Sequence, residues 1–192
     1  MENQDLTLLR EKFDHFRTEC AWITNCYNLY RFLYEGGEKT DILLMRTASA
    51  FFHDLNRMVV EYLLLQICKI TDPAKSRDRQ NLTVSNLNKD LETLGLLTQD
   101  LIDLEAKLYG YRNLIKLARD KLISHLDWQA VKEGCPLGEH ESVEVKRFFG
   151  NLFKYTDLVG EACGAGPSDY SVTPCQGDVV DLIRFLGKTA YS

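Results

Sequence analysis

The chain has 192 residues, enough for one domain with a real hydrophobic core and too few for two enzyme-sized units. Hydrophobic residues make up 45% and charged residues 27%, an ordinary globular balance that excludes disordered, collagen-like and low-complexity classes. Net charge is −5, from 23 Lys and Arg against 28 Asp and Glu, so no global field draws the protein toward nucleic acid or anionic lipid, and any RNA contact has to be local.

The first predicted element is a long amphipathic helix over residues 6–34. Its apolar positions, Leu9, Phe13, Phe16, Cys20, Ile23, Tyr27, Tyr30 and Leu33, recur in steps of three and four, and Gly36-Gly37 ends it. Asp41 is placed to cap a second helix that runs to about Thr71. That helix is apolar around so much of its circumference that a central position is expected, and Asp72-Pro73 stops it. Within it, His53-Asp54 reads as a buried, hydrogen-bonded histidine.

Residues 73–82 are polar and read as a mobile loop whose Arg77 and Arg79 are solvated charges. Thr83 or Ser85 then caps a short third helix ended by Gly95. A fourth helix starts near Thr98 and reaches about Trp128, with a break expected at Gly110. Residues 133–139 form a loop, a fifth helix spans about 140–162, and a Gly, Pro and Ser-rich loop covers 164–177 before a last short helix from Asp178. His15 and His140 read as surface residues, and packing into the core is expected of at least one of Tyr109 and Tyr111.

The fold class that follows is all-α, an up-and-down helical bundle of about four long helices plus short ones. Its core comprises the first, second, fourth and fifth helices, packed roughly antiparallel, with the third crossing one end. Residues 1–163 form the bundle domain, and 164–192 form a loop and short helix packed on the same domain. The longest apolar stretch, residues 58–70, is interrupted by Glu61, Gln66 and Lys69 and falls short of the ~20 residues a bilayer requires, so no membrane partner is expected. The start, Met-Glu-Asn-Gln-Asp, lacks the features of a secretory signal, and the cytoplasm is the expected location. Six cysteines, Cys20, Cys26, Cys68, Cys135, Cys163 and Cys175, show no C-x-x-C spacing and read as buried or free thiols. The four histidines form no H-E-x-x-H or E-x-x-H arrangement, so neither a metal site nor a cofactor is assigned.

One polar constellation carries chemistry. The segment 112–127 holds Arg112, Lys116, Arg119 and Lys121 against a single acid before His125, Asp120. At about 100° per residue, Arg112, Lys116 and Arg119 fall within about 60° of one another and form a rail for phosphates. Leu114, Ile115, Ala118, Leu122 and Leu126 form an apolar arc with Arg119 at one edge and His125 at the other. If a second copy of this helix covers the arc, one cleft gathers two arginines and two histidines. Metal-free RNA cleavage needs a group titrating near pH 7 and a cation for the phosphorane, roles that histidine and arginine fill. The ribose 2′-hydroxyl is then the nucleophile. The same spacing also suits a purely structural pair, with His125 satisfying the last helix carbonyls and Arg119 paired with Asp120 or Asp127.

Arg119-Asp120-Lys-Leu-Ile-Ser-His125, late in an all-helical chain, resembles the motif of the HEPN superfamily. Asp41 with Arg46, Phe51-Phe52, the run Leu65 to Pro73, Asn81 to Ser85 and Ala118 to Asp127 together resemble its AbiU-like branch, associated with bacterial abortive infection. The resemblance covers about residues 38–128. It implies a homodimeric, metal-independent endoribonuclease, toxin or phage-defence related. In it Arg119 and His125 meet their symmetry mates and Asp120 orients them; the segment's other cations, Arg112, Lys116 and Lys121, are the expected RNA contacts from its local charge. An antitoxin or defence-system partner is implied without being named. Position 127 is Asp, where a toxin subgroup of the superfamily has tyrosine, so regulation by tyrosine modification is not expected. The superfamily also holds members without nuclease activity, and the alternative is an inactive helical dimer that binds protein or nucleic acid. That dimer would form through the arc of Leu114, Ala118 and Leu122.

Overall fold

A computed structural model describes residues 2–123, 127–133, 140–170 and 176–189. Helices dominate: α1 (Glu2–Tyr34), α2 (Glu38–Ile70), α3 (Val84–Thr93), α4 (Gln99–Ala118), α5 (Trp128–Glu133), α6 (Ser142–Cys163) and α7 (Val179–Thr189). The expected all-α class holds. Between α2 and α3 lies a small antiparallel hairpin, β1 (Lys75–Ser76) and β2 (Arg79–Gln80), with Lys75 opposite Gln80 and Ser76 opposite Arg79. The chain packs as two units, residues 1–21 with 64–170, and residues 22–63 with 171–192.

The first unit is built on heptad-like spacing. Leu101, Leu104, Leu108, Tyr111, Ile115 and Ala118 line one side of α4 and are buried, as are Leu9, Phe13, Phe16 and Cys20 on the start of α1. On α6, Phe148, Phe149, Leu152, Tyr155 and Val159 complete the set, each large side chain contributing about 1.5–3 kcal/mol by leaving water. Tyr155 is fully buried, and its hydroxyl lies 2.9 Å from Asn88 Oδ1 and 3.1 Å from the Val84 carbonyl oxygen. Asn88 Nδ2 in turn donates to Glu105 Oε2 at 2.8 Å, so the Tyr155 hydroxyl and the Asn88 amide are both satisfied. Lys12 donates to Asp90 across α1 and α3 at 2.6 Å, and Arg10 to the carbonyl of Cys163, the last residue of α6.

Local chemistry sets the helix ends. Thr83 caps α3 by accepting from the Asn86 amide, and Thr98 caps α4 by accepting from the Leu101 amide. Gly164, with φ +72°, follows α6 in the left-handed conformation that suits a helix C-terminus. Gly160 must lack a side chain because a Cβ there would overlap the Gly166 carbonyl oxygen. Asp178 Oδ1 accepts from the amides of Val180 and Asp181 at the start of α7, as its position predicts.

In the second unit a small core of Leu33, Leu44 and Phe52 is flanked by Leu29, Tyr34, Leu55, Val179, Ile183 and Leu186. Tyr34 donates its hydroxyl proton to the Phe52 carbonyl at 2.8 Å.

Several expectations are corrected. Helix α2 starts at Glu38 rather than at an Asp41 cap, and it kinks at Ala48 (φ −163°, ψ 72°). The residue before the kink, Thr47, donates its hydroxyl to the Leu43 carbonyl, a side-chain bond that competes with the helical ladder and bends helices. A fully central α2 is not observed: Met45, Phe51 and Met58 are 63%, 58% and 56% exposed, because packing covers only the side carrying Leu44, Phe52 and Leu63. His53 is exposed rather than buried. Residues 75–80, read as loop, form the hairpin. Gly110 does not break α4, and the helical register changes instead after Ala118. Most of the 133–139 loop, Cys135 and Cys175 lie outside the described residues. No described helix is long and apolar enough to cross a membrane.

Candidate functional site

Arg112 and Arg119 are seven residues apart on α4 and its continuation, so they project from one face two turns apart. Both reach a carboxylate that the sequence reading missed. Asp72 follows the end of α2, where the Thr71 hydroxyl donates to the Ile67 carbonyl at 2.6 Å and closes the last turn. A single oxygen, Asp72 Oδ1, accepts from Arg112 Nη2 and from Arg119 Nη2, each at 2.8 Å. The second Arg119 nitrogen, Nη1, donates to Asp120 Oδ1 at 2.8 Å, so two carboxylates fix the guanidinium plane. Lys116 Nζ lies 4.0 Å from the other Asp120 oxygen and is otherwise exposed.

Exposure separates the two arginines from the rest of the rail. The Arg112 side chain is only 12% exposed and Arg119 22%, whereas Lys116 and Lys121 are exposed. Arg112 therefore acts as a partly buried brace on Asp72 rather than as the open phosphate contact read from the stripe. Its Nε is buried without a hydrogen-bond partner. Burial works against the Arg119 charge, but Cys68, Asp72 and Asp120 outweigh it and move the guanidinium pKa up. The buried Cys68 thiol moves up as well, through loss of solvent, with Arg119 pulling in the opposite sense.

Backbone geometry marks the same place. Residues Arg119–Ile123 form a π-helical turn, a widened turn that accommodates one extra residue and occurs frequently at functional sites. Arg119 and Asp120 open that turn and Lys121 sits on its exposed side. His125 falls within residues 124–126, outside the described residues, as does Leu126. The apolar arc divides: Ile115 and Ala118 are buried in the chain's own core, while Leu114 is 46% exposed; Leu117, outside the arc, is 54% exposed. A second copy thus cannot pack on Ala118 as the arc of Leu114, Ala118 and Leu122 supposes. A histidine read as superficial is engaged: His140 Nε2 lies 2.8 Å from the Tyr111 hydroxyl, and the two rings meet edge to face. Among the described residues no group of three His, Cys, Asp or Glu side chains is placed to hold a metal ion.

Proximity of Cys68, Asp72, Arg112 and Arg119 is carried by sequence separations of 40 residues or more. The one local signal for Asp72 was its position just before Pro73, at a helix end inside a segment that already resembled the AbiU-like pattern.

An all-helical chain with an Arg-Asp pair opening a widened turn late in its sequence has the organisation of a HEPN protein. The model of the AbiU2 family of HEPN proteins matches residues 7–182, nearly the whole chain, and the protein belongs to that family. That match extends the resemblance of residues 38–128 into both the first helix and the C-terminal segment. Comparison with curated proteins gives no match, and comparison with solved structures gives none either.

Proposed function

We propose that this protein is a metal-independent endoribonuclease of the HEPN type, serving in a toxin or phage-defence system and acting as a homodimer with a composite site. The observation that carries the reading is the guanidinium of Arg119, held on Asp72 and Asp120 at the mouth of the π-helical turn, within a chain of the AbiU2 family. A cation fixed in this way needs little reorganisation when negative charge develops on a phosphorane. Asp120 serves as the orienting group. In the reaction, the 2′-hydroxyl forms a bond to the adjacent phosphorus and the 5′-oxygen departs. His125 takes the 2′ proton, and an imidazolium returns a proton to the leaving oxygen. Lys116 and Lys121, exposed beside the turn, hold the RNA backbone.

A second reading rests on the same cluster. Asp72 ties Arg112 and Arg119 together across α2 and α4 like a structural clasp, which suits a helical module that binds protein or nucleic acid without cleaving it. The deciding experiment incubates RNA in EDTA with wild type, His125→Ala and Arg119→Ala. Cleavage by wild type alone is expected. Equal cleavage by all three would overturn the site, and RNA binding without cleavage by wild type would favour the second reading.

A further inference from the structure

Among the described residues, uncommitted positive charge is concentrated in the hairpin that follows Asp72. Residues 75–80, Lys-Ser-Arg-Asp-Arg-Gln, carry three cations and one carboxylate in a chain whose net charge is −5, and all six residues are exposed. Among the described residues, the side chains of Lys75, Arg77 and Arg79 enter no hydrogen bond or ion pair, in contrast to Arg112 and Arg119. The hairpin walls a hollow of about 510 Å³ lined by Ser76, Arg77, Asp78, Arg79 and Asn81. No apolar side chain stands in the six residues, so this surface suits a hydrated polyanion rather than an apolar face.

The hairpin is tied at its base. Asn81 donates its backbone amide to the Ala74 carbonyl and its side-chain Nδ2 to the Pro73 carbonyl, both at 2.9 Å. That pins it next to Asp72, the residue that holds Arg112 and Arg119. Lys75 follows Asp72 by three steps of the chain, so their Cα atoms lie no more than about 11 Å apart, a length that a few nucleotides of a strand cover. At the tip Arg77 adopts φ +54°, which a two-residue hairpin turn of primed type requires at its first position. The chain places a cation there although this left-handed conformation is unfavourable for any side chain with a Cβ.

We infer that the Lys75–Gln80 hairpin is a phosphate-binding arm that grips single-stranded RNA and leads it toward Arg119. The choice of RNA rests on the ribonuclease reading, while the arm itself rests on the three unpaired cations and their tether to Asp72. Guanidinium groups suit this task because their planar fork pairs with two phosphate oxygens.

The test is fluorescence anisotropy with a labelled single-stranded RNA 20-mer between 50 and 200 mM KCl, using full-length protein carrying His125→Ala so that the probe stays intact. The hairpin is neutralised by Lys75→Gln, Arg77→Asn and Arg79→Gln together, asparagine being chosen because it tolerates a positive φ. Lys75→Arg, Arg77→Lys and Arg79→Lys together form the charge-preserving control. Neutralisation should flatten the slope of log affinity against log salt by about 2, at about 0.7 per lost phosphate contact, and weaken binding at least tenfold at 50 mM, roughly as that slope dictates. The control should keep the original slope. An unchanged slope in the neutralised protein, or no RNA binding by the parent, overturns the arm. Because binding is read apart from cleavage, a flattened slope with no cleavage by wild type sinks the nuclease reading alone, and cleavage with an unchanged slope sinks the arm alone.

Discussion

Two groups of cations, one held by Asp72 and one in the hairpin that follows it, are treated in opposite ways. At the end of α4, Arg112 and Arg119 are part-buried and share one oxygen of Asp72. In the hairpin, Lys75, Arg77 and Arg79 are exposed and pair with no carboxylate among the described residues. The difference follows from desolvation. A guanidinium that loses most of its water must be paired, and pairing fixes its position, whereas an exposed cation keeps its water and exchanges it readily for a phosphate. Under the proposed ribonuclease reading, the fixed charge is the one to stabilise a transition state and the free charge the one to capture RNA.

Removing the fixed charge should do the most. Arg119→Ala is expected to lower single-turnover RNA cleavage by about 10²–10³-fold while changing RNA affinity less than tenfold. An equal loss in affinity and rate would place Arg119 among the capture groups and erase the distinction. Next comes its anchor. Asp72→Ala should destabilise the protein by about 2 kcal/mol, seen as a lower urea midpoint at constant m, because two part-buried guanidiniums lose a shared acceptor. It should also cut kcat with little change in KM, about tenfold, through misplacement of Arg119. Retention of both midpoint and kcat would show that Asp72 anchors nothing.

Smaller effects sharpen the capture side. Lys116→Gln and Lys121→Gln should each flatten the salt dependence of RNA binding by about 0.7, leaving the urea midpoint unmoved. A larger change in stability than in salt slope would class them with the fixed charges. Smallest of all, Arg77→Gly should raise stability by about 0.5 kcal/mol as the positive φ is relieved, while RNA affinity falls severalfold. If stability falls instead, the arginine is held by the fold, and the contrast between the two groups narrows.

Most helix positions were legible because they depend on neighbours a few residues away. Thr83 and Thr98 cap where their spacing to the following amides says they should, and the apolar steps of three and four in α1, Tyr30 excepted, are positions that become buried. The Arg119-Asp120 contact was likewise open to a local reading. Asp72 was not, since its partners lie 40 and 47 residues away and nothing in periodicity links them. The hairpin escaped notice because two-residue strands leave no alternation to detect. Composition alone also overestimated how much of α2 is covered. An apolar side chain reports what can be buried, not whether another element arrives to bury it, and Phe51 and Met58 remain in solvent.

The π-helical turn gives the motif a vulnerability of its own. Because Arg119–Ile123 spends one residue more than an α-helical turn would, excising a single residue there would let the ladder close in ordinary register. The widened turn has already absorbed the extra residue, so the chain beyond would keep nearly the angular phase it has now. Composition, charge and facing could all be left almost untouched by such a deletion, yet the extra width that Arg119 and Asp120 open would be gone. A shortening by one residue that leaves the flanking helix in register should therefore still impair RNA cleavage.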